Sequence, residues 1–215
     1  MKRFFLAFLF TGSLATAMAQ SAQYTDAMTK QTSELDSSGT FTADGLQQKA
    51  NTFERIADAE KSQWLPYYYA AYAQVMQALI LQDKSQIDPL ADRAEGNLDK
   101  AEALSPKNSE IACIRSLIAT ARLTVDPMTR GMKYGPEAAA LLEQAAEFNP
   151  ENPRIYMLRG QSLLFTPEQW GGSKSKAKTT LELALQKFAA FKPESGIAPH
   201  WGEPYTRKLL EQSQK

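Results

Sequence analysis

The chain has a single cysteine, Cys113, and a single histidine, His200, in 215 residues. One cysteine rules out an internal disulfide, so stability must come from side-chain burial. One histidine removes most zinc chemistry, because a His-based site needs further ligands and no Cys pair supplies them. An excess charge of one sign is also lacking: 24 basic and 24 acidic side chains cancel, which argues against nucleic acid as the main partner. An apolar run near the start, Phe4 to Phe10, weakens through Leu14. It is short of the ~20 residues a spanning helix needs, and no second apolar run is long enough to span a bilayer. Strand-like alternation is missing throughout, so the chain is predicted to be all-α.

The residues around the apolar run are informative. Lys2 and Arg3 precede it, and Ala17 and Ala19 frame a small-residue cleavage site. That is the layout of a secretory signal peptide over residues 1–19, cut after Ala19, and it places the mature protein in the periplasm or outside the cell. No Cys follows the run, which argues against a lipid anchor. Removal of the leader leaves 22 basic against 24 acidic residues. Residues 20–42 are rich in Ser, Thr and Gln and read as a polar, partly disordered segment, with a short helix around Ala27 to Leu35. Residues 43–215 read as one helical domain, large enough to bury a core.

Helical periodicity divides that domain. Expected helices run from about residue 43 to 60, 64 to 81, 89 to 104, 109 to 123, 137 to 148, 153 to 165, 174 to 191 and 203 to 213. Residues 124–136, with Pro127, Gly131, Gly135 and Pro136, read as a loop. A spaced signature recurs. Ala94, Leu98, Ala101 and Pro106 are followed at the same spacing by Ala138, Leu142, Ala145 and Pro150, 44 residues on. Small residues at i and i+7 flatten one helix face for close approach by a neighbour, and the proline ends the helix. A weaker third copy is Ala177, Leu181 and Ala184.

The segments EGNLDKAEALSPKNSE and AALLEQAAEFNPENPRIYMLRG make the chain similar to tetratricopeptide-repeat (TPR) proteins, and the leader makes it similar to exported bacterial TPR-like proteins. The resemblance covers roughly residues 45–190. It implies a right-handed α-solenoid of about three helical hairpins with extra capping helices. The steps of 44 and then 39 residues exceed the usual repeat. Tyr72 stands in a slot that is normally small, and Arg115 and Arg159 stand in one that is normally apolar. In such folds the first helix of each hairpin lines a concave groove. Tyr69, Cys113 and Met157 then form one row, Ala73, Leu117 and Gln161 a second, and Gln77, Ala121 and Phe165 a third, with Arg154 at the groove's mouth. Tyr69, Gln77, Arg154, Met157, Gln161 and Phe165 are the candidate partner-binding residues.

No catalytic constellation competes with that surface. Cys113 lies in an apolar stretch, His200 in a loop before the last helix. Gly171-Gly172-Ser173-Lys174 lacks the order of a phosphate-binding loop and has no preceding strand. Asp58/Glu60 and Glu102/Glu110 read as solvated helix faces. The expectation is therefore a protein without enzymatic activity, cofactor or metal. It would bind a segment of another envelope protein or peptide, not nucleic acid, and would not span the membrane. The alternative is a periplasmic solute-binding or transporter-accessory protein, which predicts an enclosed apolar pocket near Trp170.

Overall fold

The structure, a computed structural model, describes residues 11–35 and 41–215, with side chains from residue 22 onward. The first ten residues, which hold the charged and apolar parts of the expected leader, lie outside the described residues. Among the described residues there are helices and turns and no strand. The helices are α1 (Thr11–Ser33), α2 (Ala43–Ala59), α3 (Trp64–Ile80), α4 (Ile87–Leu104), α5 (Ser109–Val125), α6 (Pro127–Phe148), α7 (Pro153–Phe165), α8 (Lys174–Ala190) and α9 (Glu203–Ser213). Short 3-10 turns occupy Lys84–Gln86 and Glu168–Trp170. None of these helices is long and apolar enough to cross a membrane.

Side-chain caps set most of the starts. Asn108 Oδ1 accepts from Glu110 N at 2.8 Å, and Asn152 Oδ1 accepts from Arg154 N at 3.0 Å, so α5 and α7 begin with the same device. Thr42 caps α2 and Ser173 caps α8 in the same way. Two segments differ from the reading of the sequence. The polar stretch after residue 19 is helical up to Ser33, and its Met28, Thr32 and Leu35 are buried. Residues 127–136 are not a loop but the first half of α6. Asp126 accepts from the backbone N–H groups of Met128 (3.2 Å) and Thr129 (3.3 Å), and Pro127 has no backbone N–H that would need an acceptor in the first turn. Pro136 is carried inside the helix.

The hairpins α3/α4, α5/α6 and α7/α8 are each extensively packed, and α2 lies against α3. The signature alanines are where these contacts close. Ala94, Ala101, Ala145, Ala177 and Ala184 are buried, and Leu98, Leu142 and Leu181 with them. Ala138 is half-buried, and its carbonyl accepts from Ser116 Oγ at 2.9 Å. Gly160 serves the same purpose on α7: a Cβ there would sit 2.6 Å from Leu181 Cγ of α8.

α3 is buried on nearly every side. That resolves its run of three tyrosines. Each hydroxyl donates to a different element: Tyr67 to the Ala57 carbonyl (3.3 Å), Tyr68 to Glu110 Oε2 (3.1 Å) and Tyr69 to the Ile197 carbonyl (3.0 Å). All three rings are buried because none leaves its polar tip unsatisfied.

Candidate functional site

The first helices of the three hairpins start side by side. Asn152 Nδ2 donates to Ser109 Oγ (3.0 Å), linking the starts of α7 and α5. Arg154 Nη1 donates to Glu110 Oε1 (3.0 Å), and the other oxygen of Glu110 takes the Tyr68 hydroxyl of α3. The segment before α9 seals this end. Trp201 stacks on Tyr72 with centroids 4.7 Å apart, and its indole N–H donates to Tyr68 Oη at 2.8 Å. Arg154 is 0% exposed. Its guanidinium lies over the rings of Trp201 (4.9 Å), Phe191 (5.1 Å) and Phe188 (5.8 Å).

Burial governs the chemistry here. It raises the Glu110 carboxyl above its ordinary range, against the pull of Arg154 and the hydrogen bonds it accepts. It also pushes the Tyr68 hydroxyl and the Cys113 thiol well up, with the Glu110 charge adding to both. A buried thiol held protonated is a weak nucleophile. His200 is exposed, with Nδ1 3.0 Å from the Ala198 carbonyl. Glu102 is bound by Arg115 at 2.9 Å. Among the described residues, no group of three or more His, Cys, Asp or Glu side chains is placed to hold a metal ion.

The candidate partner-binding residues fall into two groups. Tyr69, Gln77, Arg154 and Met157 are buried, and the first row they define is covered by the segment around Ile197 and Trp201 and by α1. Gln161 is half-buried, and Phe165 is 60% exposed. Phe165 opens a compact loop. Gly172 N donates to the Pro167 carbonyl (3.1 Å) and Ser173 N to the Leu163 carbonyl (2.8 Å). A Cβ at Gly172 would lie 1.7 Å from the Thr166 oxygen, so the glycines here serve the turn. The loop holds Trp170 outward at 55% exposure rather than around an enclosed pocket.

A cleft of about 270 Å³ lies between α4, α5 and α6. Ile118, Tyr134 and Leu141 supply its apolar wall, Arg115, Arg122 and Lys133 its cations, and Glu95 and Glu137 its carboxylates. Arg122 is paired with Asp92 at 2.8 Å, and Arg115 with Glu95, Asp99 and Glu102. Lys133 Nζ stands 4.7 Å from the centroid of the Tyr134 ring and 3.5 Å from its hydroxyl. Beside it on α6, Met128 and Met132 are 74% and 88% exposed. Reading residues 124–136 as a loop concealed this site. The signal that reveals it is Asp126-Pro127, an N-cap followed by a first-turn proline.

Fold and site together define an all-α protein whose accessible features are a cleft and helix-end surfaces. No protein-family model and no curated protein sequence matches the chain. Among solved structures it is similar to the HusA haemophore from Porphyromonas gingivalis, with 41% sequence identity and a TM-score of 0.80 over 89% of this chain and 92% of that one. The chain belongs to the family of that haemophore.

Proposed function

We propose that this protein is a non-enzymatic haem-binding protein of the cell envelope or its surroundings. It would be exported by the leader at residues 1–19 and built as a short TPR-like stack of hairpins. The observation that carries this reading is the 41% identity to a haemophore across nearly the whole of both chains. The cleft between α4, α5 and α6 suits the ligand's chemistry. Haem is a flat apolar ring carrying two carboxylates. Ile118, Tyr134 and Leu141 offer an apolar wall, and Lys133 offers a partner for a carboxylate. At about 270 Å³ the cleft falls just below the ~300 Å³ at the lower end of small-molecule sites, so it would take part of the ring and leave the rest on the α6 surface.

Titration with haemin, followed through the Soret band, tests the proposal. Saturable binding with one haem per chain is expected. Tyr134→Ala combined with Lys133→Ala should weaken it by about tenfold or more, through lost apolar contact and a lost charged partner. Failure of the unsubstituted chain to show saturable binding would overturn the proposed function. Binding that the double variant leaves intact would overturn the assignment of the cleft.

A protein segment docking near Gln161 and Phe165 is the second reading, favoured by the exposed Phe165 ring. In that case a partner captured from envelope extract would be lost on Phe165→Ala.

A further inference from the structure

We propose that the end of the molecule formed by the turns after α3, α5 and α7 is a docking surface for an anionic lipid bilayer. Such docking does not depend on haem binding. The starts of α3, α5 and α7 are tied together through Tyr68, Glu110, Ser109, Asn152 and Arg154. Helices that start together and run alongside one another finish together. Lys84 Nζ donating to the Val125 carbonyl at 3.1 Å joins the first two of these turns directly.

The composition of this end differs from that of the rest of the surface. Five large exposed hydrophobic side chains gather on it: Ile80, Met128, Met132, Phe165 and Trp170. They come from three separate stretches of chain: the end of α3, the first turns of α6, and the end of α7 with the loop that follows it. Exposed lysines accompany them: Lys84, Lys133, Lys174, Lys176 and Lys178. The acids of this end are mostly engaged. Asp83 and Asp126 cap the turns they precede, and Asp88 holds Arg130 at 2.8 Å. Glu168 and, on α6 beyond Lys133, Glu137 are exposed exceptions.

Protruding Trp, Phe and Met side chains with lysines around them match a bilayer's two layers. The apolar groups reach the boundary of the acyl region while the ammonium groups remain among the phosphates. Charge selects the lipid: each lysine near an anionic surface favours binding, and the attraction decays within a Debye length. Trp170 is a built-in reporter, because Trp201 is buried and Trp64 is half-buried.

Co-sedimentation with vesicles tests this, with every variant purified in the same processed form. The chain is expected to bind vesicles of mixed phosphatidylcholine and phosphatidylglycerol, with a blue shift of Trp170 emission. It should bind pure phosphatidylcholine more weakly. Met132→Ser combined with Phe165→Ser should reduce partitioning by about tenfold or more, since each residue would lose a large buried apolar group. Replacing Lys174, Lys176 and Lys178 with Gln should reduce binding to the anionic vesicles several-fold and leave binding to neutral vesicles unchanged. Leu104→Ser, on an exposed residue at the opposite end, should change nothing. Absence of binding to either vesicle would overturn the proposal, as would equal losses for Leu104→Ser and the Met132/Phe165 variant. A lipid-free chain that self-associates, and is made monomeric by Met132→Ser with Phe165→Ser, would assign the surface to a second copy instead.

Discussion

The two ends of α3, α5 and α7 differ although the same three helices make both. At their starts, tyrosine, carboxylate, guanidinium and indole form one connected network, buried except for the partly exposed Glu110: Tyr68, Glu110, Arg154 and Trp201. At their finishes, apolar and basic side chains stand in solvent. The difference originates in the C-terminal part of the chain. The segment between α8 and α9 folds back over the starts, and among the described residues no corresponding segment returns over Phe165, Trp170 or Met132. The sealed end therefore contributes mainly to stability, and the open end is the part available to other molecules.

Unsealing the first end should produce the largest effect. Trp201→Ala removes the ring stacked on Tyr72, the donor to Tyr68 and one of the three aromatic faces over Arg154. The expected cost is about 3–5 kcal/mol, the usual range for truncating a large buried aromatic. Urea unfolding measures it. A loss below about 1 kcal/mol would mean the C-terminal segment is not part of the cooperative core.

Glu110 sharpens the comparison through pH. Its carboxyl titrates above the ordinary 4.5 because burial outweighs Arg154. Between 4.5 and that raised value, the folded chain holds a proton that the unfolded chain has released. Stability from this group therefore falls as pH rises through the window and is level above it. Glu110→Gln has no such slope. Unfolding measured over a pH series should show the unsubstituted chain losing ground to Glu110→Gln from about 4.5 upward. A constant gap would mean Arg154 compensates fully for burial.

How much of this could be read in the sequence depends on distance along the chain. The alanine signature was legible because small residues at i and i+7 have a local mechanical meaning, and Ala94, Ala101, Ala145, Ala177 and Ala184 are indeed buried at helix contacts. The starts of α7 and α8 were legible from Pro153 and Ser173. The first half of α6 was lost because Gly131, Gly135 and Pro136 outweighed the Asp126 cap in a local reading. The sealed end was illegible for another reason. Tyr69 meets Ile197 and Tyr68 meets Trp201 across 128 and 133 residues, and nothing near Tyr69 or Met157 in the chain indicates that a distant segment will cover them. Periodicity identifies which face of a helix is apolar but not which distant segment covers it.

The open end should respond least to substitution where stability is concerned, and that small effect completes the comparison. Met132 and Phe165 are mostly in solvent. Replacing both with Ser removes little buried area, so unfolding free energy should stay within about 0.5 kcal/mol of the unsubstituted chain. Thermal unfolding of Met132→Ser with Phe165→Ser checks this directly. If these residues were part of the core, the pair would cost several kcal/mol, as Trp201→Ala should at the other end. An unchanged midpoint would mean that folding does not require these two apolar groups at the surface, and would leave ligand or surface binding as the physical reason for their exposure.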